Sequence, residues 1–121
     1  MTQDAWPWHQ DRPIYRQLVE QIVARILDQT YREGDMLPSV RQLANDFVVN
    51  PLTAARAYRE LEEYTETRRG VGVVVKEGVR ELLLKREQKR FLRDEWPSVR
   101  ERIKALELDP AELLKELRTK R

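Results

Sequence analysis

Apolar residues recur along residues 13–29 at the spacing of one helical face. Tyr15, Leu18, Ile22 and Ile26 fall three or four apart, and Val19 and Val23 widen the stripe. The pattern predicts a core-facing amphipathic helix from Pro13 to Gln29, with Pro13 in its first turn and Gly34 as punctuation beyond it. Leu37-Pro38-Ser39 restarts the chain. Ser39 has the chemistry of an N-cap, and Gln42 stands three residues on, where a capping box places its second partner. Val40, Leu43, Ala44 and Phe47 then mark one face of a short helix, and Val48 and Val49 make a turn. Asn50-Pro51 opens another helix with a cap and a first-position proline. Along it Ala54, Ala57, Tyr58 and Leu61 share the inward face, which leaves Leu52, Ala55, Arg56 and Arg59 on the opposite side and Thr53 on the flank.

Two short helices joined by a tight turn describe a helix-turn-helix. Thr65–Arg69 and Val71–Val75 follow, rich in Thr and Val around Gly70 and Gly72, and predict a small β-hairpin in the position of a wing. Beyond Lys76 glycine and threonine nearly vanish, and Leu, Arg, Lys and Glu dominate. The predicted fold class is mainly α with a small β-hairpin. A winged helix-turn-helix domain covers residues 1–75, with 1–12 as an N-terminal arm, and a short helical tail covers 76–121. Within the tail, one helix is expected from Glu77 to about Glu95. A break or kink is expected at Trp96, because Pro97 disfavours helix there, and helix resumes from Ser98 to Leu106. Asp109-Pro110-Ala111-Glu112 starts a last helix with an N-cap, a first-turn proline and a box glutamate.

Composition narrows the function. Of 121 residues, 40% are hydrophobic and 36% charged, enough for one modest core under a charged surface and not for two large ones. The absence of cysteine excludes disulfides, thiolate metal sites and cysteine nucleophiles, and the single histidine, His9, argues against a histidine-built metal site. No metal and no cofactor is expected. No apolar run approaches a membrane span and residues 1–11 lack a signal-peptide core, so a cytoplasmic address is expected. Net charge is +2, but residues 1–75 carry 9 basic against 11 acidic side chains, a net of −2, whereas residues 76–121 carry 14 against 10, a net of +4. A case for nucleic acid therefore rests on where individual arginines stand. No acidic pair is spaced with a nucleophile and no glycine-rich phosphate loop occurs, so an enzyme is not expected.

Pro13-Ile14-Tyr15, Gly34-Asp35-Met36-Leu37-Pro38-Ser39-Val40-Arg41, Asn50-Pro51-Leu52-Thr53 and Arg68-Arg69-Gly70-Val71-Gly72 appear in that order over residues 13–75. Together they resemble the DNA-binding domain of GntR-family bacterial regulators. The Asn-Pro-Leu-Thr start and the short tail resemble the family's YtrA-like subfamily, the tail more loosely through Trp96-Pro97 and Leu108-Asp109-Pro110. One departure stands out. The family usually has a glycine between the recognition helix and the first wing strand, and Leu61-Glu62-Glu63-Tyr64-Thr65-Glu66-Thr67 has none. Either the wing starts differently or its first strand is shorter.

The resemblance implies a DNA contact role for Ser39, Arg41, Asn50, Pro51, Leu52, Thr53, Arg56, Arg59, Arg68, Arg69 and Gly70. Arg41 lies on the helix that crosses the backbone in this arrangement. It suits phosphate and can equally reach a guanine edge, and its alternative is an ion pair with Asp46 or Glu60. Asn50 and Thr53 stand in the first turn of the second helix, where free N–H groups favour phosphate, although Asn50 and Ser39 can also simply cap. Leu52 suits a thymine methyl, or else packs against the first helix or the wing. Arg56 is central on the outward face, the place to read a base edge. Arg59 suits phosphate or a pair with Glu63, and Arg68 and Arg69 flank the wing turn, or else form a solvated hairpin.

The 46 residues of the tail are too few to enclose an effector pocket of several hundred Å³, so no large small-molecule pocket is expected. Its apolar residues Val79, Leu82, Leu83, Phe91, Leu92, Val99, Ile103, Leu106, Leu113, Leu114 and Leu117 are expected to pair with a second copy. The resulting expectation is a homodimeric repressor on a palindromic double-stranded DNA operator. The resemblance implies control of a transporter operon of the ABC class. The alternative is a winged-helix module that binds protein.

Overall fold

The computed structural model describes residues 6–119. The chain forms two compact units, residues 1–84 and 85–121. The first unit begins with α1 (Ile14–Leu27), α2 (Val40–Phe47) and α3 (Pro51–Glu60). Leu18, Ile22 and Ile26 of α1 are buried at the predicted spacing. Pro13 is the N-cap of α1 at ψ 141°, one position earlier than the first turn. Ser39 caps α2, its Oγ accepting from the Gln42 N–H at 3.1 Å. The reciprocal half of a capping box is missing, because the Gln42 amide donates forward to Asp46 at 2.7 Å.

The turn between α2 and α3 closes without glycine. Val48 adopts left-handed φ 54° and ψ 55°. Its N–H bonds Asn45 O at 3.3 Å and the Val49 N–H bonds Ala44 O at 2.9 Å, the paired bonds of a Schellman ending. This re-entry lets α3 cross onto both α1 and α2, where its buried small residues Ala54 and Ala57 permit close helix approach. The Tyr58 hydroxyl donates to the Pro38 carbonyl, tying α3 to the start of α2. Burial raises the Tyr58 hydroxyl's pKa, which keeps it a donor.

The wing is an antiparallel pair, β1 (Thr65–Arg68) and β2 (Gly72–Val75), in the register Thr65↔Val75 to Arg68↔Gly72. Its first strand is four residues long and starts where sequence places it. Thr65 replaces the missing glycine as the device at the helix exit. Its buried hydroxyl donates to Leu61 O at 3.1 Å, while the Tyr64 N–H bonds the same carbonyl at 2.8 Å. Residues 34–37 run beside β2 through Leu37 N–H to Val73 O and Val75 N–H to Asp35 O, so the hairpin is held to the domain on its inner edge.

Next comes α4 (Val79–Arg90), whose first turns complete the same core. Val79 and Leu83 are buried in one cluster with Leu18, Ile22, Leu43, Phe47 and Val75. The compact unit accordingly runs through Leu84, past the boundary expected at 75–77, and these two side chains already have apolar partners within the chain. Two polar contacts fasten α4. The Glu33 carboxylate accepts from the Arg80 N–H at 3.0 Å, and the Arg80 guanidinium donates to Leu27 O at 2.9 Å. Each satisfies a helix end that has no partner of its own.

In the second unit, the irregularity expected before Pro97 takes the form of a π-helical turn, and Trp96 itself stays helical. A π-helical turn (Phe91–Glu95) leads directly into α5 (Trp96–Ala105), and Trp96 keeps helical φ −57° and ψ −41°. Pro97 lacks the N–H that would bond Arg93 O, and in a regular helix its ring would strike that carbonyl. The wider turn, with Trp96 N–H bonded to Phe91 O, absorbs the conflict. After a left-handed Glu107, Asp109 caps α6 (Pro110–Arg118) by accepting from the Ala111 N–H at 3.0 Å. Among residues 85–119 none is buried, and Leu92, Leu106, Leu114 and Leu117 are largely exposed.

Candidate nucleic-acid interface

The candidate surface is the outward face of α3, flanked by the start of α2 and the wing tip. Asn50 Oδ1 accepts from the Leu52 N–H at 2.8 Å, so its oxygen is used in the cap while its NH₂ points to no partner among the described residues. Pro51 occupies the first turn, and Thr53 is half-buried beside it. One turn of helix then presents Leu52 and Arg56 at i and i+4, with Arg59 beyond. Leu52 is 78% exposed, so it packs on neither the first helix nor the wing. Arg56 and Arg59 are exposed, whereas Ala54, Ala57 and Tyr58 behind them are buried.

Ser39 and Arg41 are exposed at the start of α2. Arg41 pairs with neither Asp46 nor Glu60 among the described residues, and Asp46 instead holds Gln42. At the wing, Val71 N–H bonds Arg68 O at 3.0 Å across a turn that contains Arg69 and Gly70. Gly70 has φ 76°, a conformation side chains rarely adopt, and a Cβ placed there would meet open space. Arg69 is exposed, and Arg68 lies 3.2 Å from the Glu66 carboxylate, so one of the two wing arginines carries a local ion pair.

Sequence periodicity assigned Tyr15 to the core stripe of α1. The structure instead places it half-buried against α3, where the Arg56 guanidinium stacks 3.8 Å from its ring centroid. Ile14, Tyr15, Leu52, Thr53, Arg56 and Arg59 line a shallow concavity that contains no acidic side chain. The three-residue step from Tyr15 to Leu18 fits a helix face, and only the crossing of α1 over α3 reveals which side of that face Tyr15 occupies. Among the described residues, no group of three or more His, Cys, Asp or Glu is placed to hold a metal ion.

Of the N-terminal arm, residues 1–5 lie outside the described residues, and residues 6–12 pack against the domain. Gln17, buried in α1, accepts from the His9 N–H at 2.7 Å and donates to His9 O and Arg12 O, both at 2.9 Å. Trp6 and Trp8 pack on Phe47 at 5.0 and 6.0 Å between centroids. His9 is exposed and serves this arrangement through its backbone.

Comparison with known proteins gives a consistent set of relatives. The profile described as bacterial regulatory proteins, gntR family, matches residues 14–75. The chain is 40% identical over 74 residues to the HTH-type transcriptional repressor YtrA of Bacillus subtilis (strain 168), covering 60% of this chain and 57% of that protein. It thus spans little more than half the length of the curated relatives it matches. Among solved structures, a GntR family transcriptional regulator from Listeria monocytogenes superposes with a TM-score of 0.70 at 31% identity, over 94% of this chain and all of that one. YtrA from Sulfolobus acidocaldarius, a GntR-family transcription factor, gives 0.54 at 28% identity, over 92% and 90%.

Proposed function

Because the chain belongs to the gntR family of bacterial regulatory proteins, we propose that it is a sequence-specific DNA-binding transcription regulator working in the cytoplasm. The observation that carries this reading is the division of α3 into two faces. Ala54, Ala57 and Tyr58 are buried, while Leu52, Arg56 and Arg59 stand exposed with no acidic neighbour in their concavity. An exposed leucine beside an exposed arginine suits a major groove, which offers thymine methyls and guanine O6 and N7 acceptors to one helix face. In this assignment α3 enters the groove and Arg56 reads a base. Arg41, Ser39 and the free NH₂ of Asn50 face phosphate, and Arg69 and Gly70 bring the wing to the backbone.

The regulator acts as a homodimer on a palindromic operator. Support comes from the second unit, where the apolar side chains of Phe91, Leu92, Val99, Leu106, Leu114 and Leu117 are exposed on helices that bury nothing of their own. Leu82 belongs to the same exposed set, and Ile103 and Leu113 are half-buried in a groove beside Trp96. Val79 and Leu83 leave the proposed interface, being buried in the first unit. Repression is supported by the similarity to YtrA, which is named a repressor; the transporter operon of the ABC class is what the motif resemblance implies.

Fluorescence anisotropy with the duplex recovered from a genomic pull-down tests the reading. Phosphate contacts give an affinity that falls steeply with salt. Arg56→Ala is expected to relax preference at one base pair by about 1–3 kcal/mol, and Arg41→Ala to weaken all sequences alike and reduce the salt slope by about one. A protein-binding module, the reading that the net −2 of residues 1–75 favours, would recover no duplex and give no salt slope.

A further inference from the structure

We infer that Tyr15 is a positioning residue for base reading, holding the Arg56 guanidinium stacked so that its edge meets a guanine. The inference rests on the proposed groove-reading role of α3 and adds to it a residue outside that helix. The Arg56 Cζ lies 3.8 Å from the Tyr15 ring centroid, the distance of a stacked guanidinium, and Arg16 stands 5.7 Å from the same ring. Stacking occupies the flat face of the guanidinium and leaves its in-plane N–H donors free. Those are the donors that a bidentate contact to guanine O6 and N7 requires.

The ring is a fixed platform. Tyr15 stands in the first turn of α1, two residues before Gln17, whose three hydrogen bonds hold the arm, and three before fully buried Leu18. Arg56 by contrast is exposed and, among the described residues, forms no ion pair. Without the ring it would be a long flexible side chain whose ordering on DNA opposes binding. With Leu52 one turn earlier on the same face, the stacked arginine has a defined place beside an apolar contact.

The test is selection by the full chain from a pool of duplexes with randomised interiors, sequenced for wild type, Arg56→Ala, Tyr15→Leu and Tyr15→Phe. Arg56→Ala should erase preference for one guanine. Tyr15→Leu should weaken that same preference about two- to fivefold, the range of an exposed cation–π contact. Tyr15→Phe, which keeps the ring, should retain it, and Tyr15→Leu should change nothing further in the Arg56→Ala background. The Arg56 δ protons of the free wild-type protein should be shifted upfield by the ring current, and this readout does not depend on how well Tyr15→Leu folds. An even loss of affinity across all sequences in Tyr15→Leu makes Tyr15 a packing residue and overturns the inference, as does an unshifted Arg56 resonance or a Tyr15→Phe that behaves like Tyr15→Leu. A wild-type chain that selects sequences while Arg56→Ala changes none overturns it and leaves DNA binding standing. A wild-type chain that selects nothing overturns both.

Discussion

Leu82 and Leu83 are neighbours in sequence with opposite environments, and exchanging each for alanine measures where the first unit ends. Leu83 is 2% exposed and belongs to the core cluster, whereas Leu82 is 42% exposed. Leu83→Ala removes three buried carbons and leaves a cavity, a change that costs about 2–5 kcal/mol. For a unit of this size each kcal/mol lowers the melting temperature by roughly 4–8 °C, so a drop of at least about 8 °C is expected. Leu82→Ala should change monomer stability by no more than about 0.5 kcal/mol. Any further effect from pairing with a second copy will depend on protein concentration, which the Leu83→Ala loss will not. The same reasoning decides where to truncate. Ending the chain at Lys76 discards Val79 and Leu83, worth about 1.5–3 kcal/mol each, together with the Arg80 contacts to Leu27 and Glu33. That is a large share of an ordinary domain's 5–15 kcal/mol or so. Ending it at Arg90 keeps them all. Urea unfolding of the two truncations should separate them clearly, and equal stability of both, or of Leu82→Ala and Leu83→Ala, would refute the assignment of α4 to the core.

Val48→Asn should stabilise the domain by about 0.5–1 kcal/mol in thermal melts, because asparagine tolerates the left-handed conformation that a β-branched residue resists; an unchanged or lower melting temperature would show that the turn carries no such strain. Tyr58→Phe should cost about 1–3 kcal/mol, since it leaves the Pro38 carbonyl without its donor in a buried setting, and a neutral result would remove that bond from the account of how α3 is fixed. Glu33→Gln should flatten the acid limb of the stability profile. Backbone N–H groups of Gly78 and Arg80 hold the Glu33 carboxyl below its usual pKa, so its contribution is present above the ordinary glutamate value of about 4.3 and is lost as pH falls through the lowered folded value. The gap between wild type and variant should close on acidification, and a gap independent of pH would count against the carboxylate's role.

How much of this was legible in the sequence varies with the kind of signal. α1 declared itself by apolar spacing alone, and α2, α3 and α6 because apolar spacing and caps agree. Ser39, Asn50 and Asp109 each accept the backbone N–H that their position predicts. The left-handed endings at Val48 and Glu107 were hidden, since neither has the glycine that usually marks one. The wing's glycine-free entry resolved through Thr65, whose hydroxyl finds a carbonyl four residues back. Trp96-Pro97 marked an irregularity in the helix but not its form: a π-helical turn relieves the proline's conflict with the preceding turn, and Trp96 keeps helical angles. Val79 and Leu83 share their periodicity with exposed Leu82, so spacing alone could not say which of them faced the first unit. Tyr15 shows the same limit at the site. Its place on α1 was readable, but its stacking partner lies on α3, 41 residues later.

The charge of residues 1–75 looked like an argument against DNA, and the structure changes what that number means. Several of its carboxylates are engaged locally. Glu33 holds the start of α4, Asp28 accepts from the Thr30 N–H and hydroxyl, Asp35 accepts from the Arg32 N–H, Glu20 pairs with Arg12, and Asp46 holds Gln42. These contacts close loops and helix ends, which is structural work that a small domain requires whatever it binds. Arg41, Arg56, Arg59 and Arg69 are exposed and, among the described residues, have no acidic partner. A phosphate chain responds to the charge within a Debye length, about 8–10 Å, and not to a sum over the whole domain. Arg56 and Arg59, which share one concavity without an acidic side chain, therefore count for more at that face than a net of −2 distributed over residues 1–75. Beyond the Debye length the sum over residues 1–75 is screened, and the chain as a whole carries +2.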